Sequence, residues 1–89
     1  MAKRLPHITA AELRILKVLW RLNRKATVRD VRDELEREGP DNPAYTTVMT
    51  LMNQLAAKKA LEVDKDRQPY LYRALLKRES VLRDRIEHF

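Results

Sequence analysis

The chain contains no cysteine, only one glycine and no long apolar run. Without cysteine it can form no disulfide, no thiolate metal site and no thiol nucleophile. Its apolar segments are all shorter than the ~20 residues that span a bilayer. The first residues, Met1–Arg4, are not followed by the apolar core of a signal peptide. We therefore predict a cytoplasmic protein without a membrane-spanning segment.

Side chains that catalyse reactions or bind metals are scarce or badly spaced. The two histidines, His7 and His88, lie at opposite ends of the chain and lack metal-ligand spacing. The acids between residues 34 and 41 stand beside arginines, which is the pattern of a solvated helix face. The sequence contains no glycine-rich phosphate loop and no nucleophile–base arrangement. It therefore predicts no enzyme activity, no metal site and no cofactor.

The chain does have a moderate apolar content and an excess of positive charge. Its 89 residues are 44% hydrophobic, which is enough for one packed domain. The net charge of +6 favours a polyanionic partner, because cations that neutralise phosphates release counterions. Residues 1–27 carry seven basic side chains and one acid, whereas residues 28–43 are net acidic. The basic groups are thus segregated along the chain.

Local signals predict where the first helices begin and end. Thr9 with Glu12, and Thr27 with Asp30, have the spacing of capping boxes. Each pair therefore predicts a helix that begins directly after its threonine. Gly39 follows the second apolar stripe, where a left-handed residue is expected to end the helix.

The spacing of apolar residues predicts three helices, over about 10–22, 28–38 and 44–59. The residues expected on their buried faces are Leu13, Ile15, Leu16, Val18, Leu19, Trp20 and Leu22 in helix 1, Val28, Val31 and Leu35 in helix 2, and Val48, Leu51, Met52 and Leu55 in helix 3. Lys58 and Lys59 close the third helix. We expect them to interact with its C-terminal dipole rather than with a ligand.

After Lys59 the apolar period changes from helical spacing to alternation. Residues 60–75 predict a β-hairpin with a turn at Asp66–Gln68. Within it, Tyr70 and Tyr72 lie on one face of the strand, and one of them is expected to pack while the other reaches a phosphate. The last segment, 77–89, has helical spacing again and carries a stripe of Leu82, Ile86 and Phe89. This stripe either packs back on helix 1 or begins a dimer interface.

This order of elements predicts a fold class that is mainly α with a small β-hairpin. An isolated hairpin is only marginally stable in water, so we expect this one to pack on the helices. Three helices with one hairpin packed on them form a winged helix-turn-helix. We predict a three-helix core and wing over residues 1–76. Residues 77–89 would then form a C-terminal helix and the start of a dimerisation element.

The outer side of helix 3 lacks charge in a chain that is 36% charged. That side consists of Tyr45, Thr46, Thr47, Met49, Thr50, Asn53 and Gln54. A solvated face would normally carry lysine and glutamate. Two interpretations remain: the side is buried or faces a protein partner, or its short polar side chains enter a groove of nucleic acid.

Several stretches resemble the penicillinase repressor family, which includes β-lactamase, methicillin-resistance and copper-operon repressors. They are ITAAE at 8–12, ILKVLW at 15–20, YTTVMTLMNQLAAKK at 45–59 and YLY at 70–72. The similarity covers about residues 5–80. It implies a DNA-binding transcriptional repressor of the kind that controls antibiotic resistance. Such a repressor binds a palindromic operator in double-stranded DNA as a homodimer, with helix 3 in the major groove.

The resemblance also implies which residues contact DNA. They are Tyr45, Thr46, Thr47, Thr50 and Gln54 on helix 3, Thr27 and Arg29 at the start of helix 2, and Lys65, Arg67 and Tyr70 in the wing. Thr46, Thr47, Thr50 and Gln54 would face the groove, Thr27 and Arg29 would face phosphates, and the wing residues would flank the duplex. The alternative function is a winged-helix module that binds another protein without specific DNA binding.

The chain departs from the family pattern in three places. Ala60 stands where members usually have a glycine, and Thr46 and Gln54 stand where many have basic residues. The operator sequence therefore cannot be transferred from relatives. Most of the C-terminal dimerisation helices are also missing. We expect a homodimer on DNA and, if the chain is a piece of a longer protein, a monomer in solution.

Overall fold

A computed structural model describes the backbone of residues 5–87 and the side chains of residues 5–83. Within that range the elements are α1 (Ala10–Leu22), α2 (Val28–Glu38), α3 (Tyr45–Ala57), β1 (Leu61–Asp64), β2 (Leu71–Ala74) and α4 (Arg78–Glu87). The first three helices lie within two residues of their predicted bounds. The winged helix-turn-helix, with a three-helix core, a hairpin and a following helix, is confirmed.

The two predicted capping boxes fix where α1 and α2 begin. Thr9 Oγ1 accepts a hydrogen bond from the Glu12 amide at 3.1 Å, and Glu12 Oε1 accepts one from the Thr9 amide at 2.9 Å. Thr27 and Asp30 form the same reciprocal bonds, each at 3.0 Å. Each box satisfies two backbone N–H groups that a helix start leaves without partners. Both predicted starts are therefore confirmed.

The residue that ends α2 differs from the prediction. Gly39 has φ 157° and ψ 178°, so it is not the left-handed helical residue that we expected. Gly39 precedes Pro40, and a residue before proline is driven toward extended backbone. The chain therefore leaves α2 in an extended conformation that suits glycine, since its φ is still positive.

A Schellman motif ends α3 and places the left-handed residue at Lys59, with φ 63°. The Lys59 amide bonds the Ala56 carbonyl at 3.0 Å, and the Ala60 amide bonds the Leu55 carbonyl at 2.8 Å. Ala60, where the family resemblance implies a glycine, is not in a positive-φ conformation and is fully buried. The strain of a non-glycine residue in this turn therefore falls on Lys59.

The core lies where the apolar sides of α1, α2 and α3 meet the hairpin. Its most deeply buried apolar side chains are Ile15, Leu16, Val18, Val31, Leu35, Val48, Met52 and Leu55. Of the predicted core, Trp20, Leu22 and Leu51 are only partly buried. Trp20 reaches toward α4, where its Nε1–H donates to the Leu76 carbonyl at 2.9 Å.

The beginning of α4 packs back on this core. Val81, which the predicted stripe did not include, is 2% exposed, and Leu82 is partly buried beside the core. The side chain of Ile86 and all of Phe89 lie outside the described residues. The start of α4 therefore closes the domain, and the choice between packing and a dimer interface for the end of the stripe stays open.

The hairpin is antiparallel, with Val63 opposite Tyr72 and Glu62 opposite Arg73. Its loop, residues 65–70, is longer than the predicted turn, and it contains a cis peptide bond before Pro69. We call β1, β2 and this loop the wing. Reciprocal backbone bonds of 2.9 and 2.7 Å join Ala26 to Tyr72. These bonds attach the wing to the link between α1 and α2.

A buried ion pair connects the start of α1 to the end of α3. Glu12 is 1% exposed, and Lys58 Nζ lies 2.6 and 2.8 Å from its two carboxylate oxygens. Lys58 also donates to the His7 carbonyl at 2.8 Å. The Lys58 ammonium thus binds groups at the start of α1, whereas the sequence suggested an interaction with the C-terminal dipole of α3. Burial raises the pKa of Glu12, but the hydrogen bonds from Lys58 and Thr9, with the charge of Lys58, outweigh burial and lower it.

We expect Lys58→Met to reduce the free energy of unfolding by about 2–3 kcal/mol near pH 7, because a buried carboxylate loses its cation. The native pKa of Glu12 lies below its ordinary value of 4.5, so the ion pair stabilises the fold above that pH. This stabilisation is lost as the pH falls through the native pKa.

Urea denaturation at pH 7 and at low pH measures the effect. The difference between Lys58→Met and the unmodified chain should shrink in acid. Lys59→Met, at the exposed neighbouring lysine, is the matched control and should change stability by less than about 0.5 kcal/mol. An equal loss at both pH values would contradict the assignment.

Candidate nucleic-acid interface

The uncharged side of α3 faces outward. Its exposed residues are Tyr45, Thr46, Thr47, Met49, Thr50, Asn53 and Gln54. The opposite side, with Val48, Met52 and Leu55, is buried against the core. The interpretation in which the uncharged side packs inside this chain is therefore wrong. The helix presents hydroxyl, amide and apolar groups to the outside, and none of its 13 residues is charged.

The start of α3 is open, whereas the start of α2 is capped. Ala44 precedes α3 and provides no side-chain hydrogen bond, and the first turn contains no acid. The first backbone N–H groups of α3 can therefore bind an anion. At α2 the Thr27 hydroxyl already accepts from the Asp30 amide, and the Asp30 carboxylate lies beside it. Of the two starts, that of α3 is the better suited to a phosphate.

Among the sequence-predicted residues of α2, Arg29 is exposed and Thr27 is half-buried. Arg29 forms no ion pair within the described part of the chain. The Thr27 oxygen is occupied as a cap, but its hydroxyl hydrogen can still be donated to a phosphate. Since α2 packs on α3, these groups lie on the element next to the uncharged helix.

The wing loop carries the other predicted contacts. Lys65 and Arg67 are exposed, and neither forms an ion pair with any residue from 5 to 83. At the base of the wing the situation differs, because Arg73 Nη2 lies 2.8 Å from Glu62 Oε1 on the opposite strand. Within the wing, the cations without an ion pair therefore lie in the loop, where they can approach a polyanion.

Tyr72 is the tyrosine that packs, and Tyr70 is the one that faces outward. Tyr72 is 3% exposed, and its hydroxyl donates to Asn53 Oδ1 on α3 at 3.0 Å. Burial raises the pKa of Tyr72, and the nearby Tyr45 and Tyr70 raise it further. The wing and α3 are thus joined by a hydrogen bond with aromatic side chains around it. Sequence reasoning missed this pair, although it expected one of the two tyrosines to pack.

The arginines of α1 and of the link after it are paired with acids of α2, whereas Lys17 is exposed and forms no ion pair with any residue from 5 to 83. Ion pairs join Arg14 to Glu38 at 3.8 Å, Arg21 to Glu34 and Glu38 at 3.1 and 2.6 Å, and Arg24 to Asp30 at 3.4 Å. The segregation of charge between residues 1–27 and 28–43 therefore reflects the pairing of α1 with α2. Lys3 and Arg4 lie outside the described residues.

Within residues 5–83, the structure contains no cluster of three or more acidic or histidine side chains that could hold a metal ion. In the same part of the chain, no helix is both long and apolar enough to cross a bilayer. The exposed uncharged side of α3, Arg29 at the start of α2 and the exposed cations of the wing loop make these three elements the candidate site.

Comparison with known proteins identifies the family. The sequence profile of the penicillinase repressors matches residues 8–89. The chain belongs to the penicillinase repressor family. A search of curated proteins found no match. The fold and family of this penicillinase-repressor domain are those of a DNA-binding transcriptional repressor.

Two solved structures are similar to this penicillinase-repressor domain. One is the solution structure of the DNA-binding domain of the repressor BlaI, with TM-score 0.70 and 26% identity, over 86% of this chain and 90% of that chain. The other is the monomeric form of Bacillus licheniformis BlaI in complex with the blaP half-operator, with TM-score 0.68 and 26% identity, over 88% of this chain and 92% of that chain.

We expect Tyr72→Phe to destabilise this penicillinase-repressor domain by about 1 kcal/mol, because Asn53 loses its hydrogen-bond donor. Thermal unfolding monitored by circular dichroism measures the loss. Tyr70→Phe is the matched control and should be nearly neutral, since Tyr70 is 38% exposed. Equal losses for the two variants would show that the Tyr72–Asn53 bond contributes nothing specific.

Proposed function

We propose that this chain represses transcription by binding a palindromic operator as a homodimer, with α3 in the major groove. The observation that carries the proposal is the exposed, uncharged side of α3 beside an open helix start. A helix of this size fits the major groove, and hydroxyl and amide side chains can bond base edges there. The half-operator in the BlaI complex supports one such domain on each half-site.

In this arrangement the threonines and the glutamine of α3 read bases. Gln54 can form a bidentate contact with adenine, and a threonine can combine a hydroxyl bond with a methyl contact to thymine. We assign base contacts to Thr46, Thr47, Thr50 and Gln54. Their exposed hydroxyl and amide groups support this assignment, because such groups can bond base edges in the major groove.

Phosphate contacts then come from the edges of the interface. The open N–H groups at the start of α3 support one contact, with Tyr45 beside them. We assign the others to Thr27, Arg29, Lys65, Arg67 and Tyr70. The uncompensated cations Lys65 and Arg67 support the wing as the part that follows the duplex backbone. These contacts position the domain and supply affinity that does not depend on sequence.

We further propose that residues 1–76 form the DNA-binding domain and that residues 77–89 begin the element that pairs two copies. The packing of Val81 and Leu82 on the core supports a fixed exit direction for α4. Pairing would set the spacing of the two half-sites at one or two helical turns. The chain would act in the cytoplasm, where its operator lies, and would catalyse no reaction.

A salt titration of DNA binding tests this function. Affinity for duplex DNA should fall steeply with salt, and Arg67→Ala should weaken binding to all sequences alike. Loss of one phosphate contact should reduce the slope of log K against log salt by about 0.9. Arg37→Ala removes the same charge from an arginine that pairs with Glu34 and should leave the slope unchanged. No retention of DNA at low salt would favour the protein-binding module.

Base preference tests the proposed role of the α3 threonines in reading the operator. We expect Thr47→Ala or Thr50→Ala to reduce discrimination between the operator and random duplex by about 1 kcal/mol, because a base contact is lost. Selection from a random duplex pool, followed by competition binding, measures this preference. Ser80→Ala removes an exposed hydroxyl from α4 and serves as the control. Equal weakening on operator and random DNA would contradict a role in base reading.

A further inference from the structure

Exposed apolar side chains are concentrated at the proposed interface. Within the described residues, the large hydrophobic side chains left exposed are Tyr45, Met49, Tyr70 and Leu75. Three of these four lie on α3 or in the wing loop. Met49 is 38% exposed on a helix whose other outward side chains are mostly polar. A single exposed methionine needs no explanation, but an apolar group in the middle of a contact surface does.

Helical geometry places Met49 between the base-reading side chains and the wing. Tyr45, Met49 and Asn53 are spaced four residues apart, so they form one row along α3. The Asn53 end of this row is held by the Tyr72 hydroxyl at 3.0 Å, so the row borders β2. On the other side Met49 adjoins Thr46, three residues earlier. Met49 therefore lies within the surface that would enter the groove.

The chemistry of this surface favours thymine as the contact of Met49. In the major groove thymine is distinguished by its 5-methyl group, and arginine or lysine typically reads guanine. Since α3 has no charged residue, it has no such guanine contact. Methionine is apolar, flexible and polarizable, so its side chain can pack on a methyl group. Docking would also remove its exposed surface from water.

We propose that Met49 reads the 5-methyl group of a thymine in the operator half-site. The proposal rests on the function proposed above, and it adds a specificity-determining residue outside the set that the family resemblance implies. Met49 would act beside the hydroxyl and amide contacts of its neighbours. The position of that thymine in the half-site is set by the wing, which fixes the row through Asn53.

Removal of single methyl groups from the DNA tests this contact. The operator is first selected from a random duplex pool, and each thymine is then replaced in turn by deoxyuridine. The unmodified chain should bind one of these duplexes about fourfold more weakly, which is the loss of one buried methyl group. Met49→Ala should bind the thymine and uridine duplexes equally at that position, while keeping the losses found elsewhere.

Two further variants serve as controls for the comparison of thymine with uridine. Met49→Leu keeps an apolar side chain and should retain a preference for thymine at the same position. Leu75→Ala removes an apolar side chain that is 45% exposed and lies outside the proposed interface, so it should respond to uridine as the unmodified chain does. Because Met49 is exposed, its variants should keep the circular dichroism spectrum and melting temperature of the unmodified chain.

The outcomes distinguish failure of the Met49–thymine contact from failure of operator binding as a whole. If Met49→Ala loses affinity at every thymine as the unmodified chain does, the assignment of Met49 is overturned. The same holds if uridine weakens the unmodified chain at no position. If the unmodified chain selects no sequence from the pool, the proposed operator binding fails, and the role of Met49 fails with it.

Discussion

The buried ion pair between Glu12 and Lys58 is the constraint on which the position of α3 depends. It joins the first turn of α1 to the C-cap of α3, with N–O distances of 2.6 and 2.8 Å. A buried carboxylate is costly without a cation, so the end of α3 is held where Lys58 can reach Glu12. The Asn53–Tyr72 bond then attaches the same helix to the wing. Two polar contacts beside a mostly apolar core thus orient the surface that would read DNA.

Local sequence signals were sufficient to predict most of the fold. Capping boxes at Thr9 and Thr27 act over three residues, so they could be recognised without knowledge of the tertiary structure. The same sequence could not show that Glu12 serves twice, because Lys58 lies 46 positions away. The conformation of Gly39 was wrongly predicted for a different reason, which is local. A neighbouring proline, rather than the end of the helix, determines its backbone.

Charge was the signal that required most correction. The basic N-terminal third suggested a partner of opposite charge, and its main partner within residues 5–83 is α2. Arg21, for example, lies 2.6 Å from Glu38. Linear composition does not distinguish cations that pair inside the domain from cations that remain available. The apolar stripe of α3 predicted which side of the helix packs on the core, but the absence of charge on the other side left burial, a protein partner and groove binding as alternatives. The burial of Tyr72 could not be predicted from the sequence, because it depends on how the wing packs against α3.

The exposed cations Lys65 and Arg67 lie in the wing, whereas the uncharged surface lies on α3. The two parts of the proposed interface can therefore change independently in evolution. In the proposed complex, phosphate contacts from the wing would supply affinity for any sequence, whereas side chains of α3 would supply preference. Substitutions on the outer face of α3 leave the buried row of Val48, Met52 and Leu55 in place. If the proposed contacts hold, the base preference of this domain can change through Thr47, Met49 or Thr50 while the core and the phosphate contacts persist. In that arrangement the wing cations and the open helix start would provide the positive potential that the uncharged helix lacks.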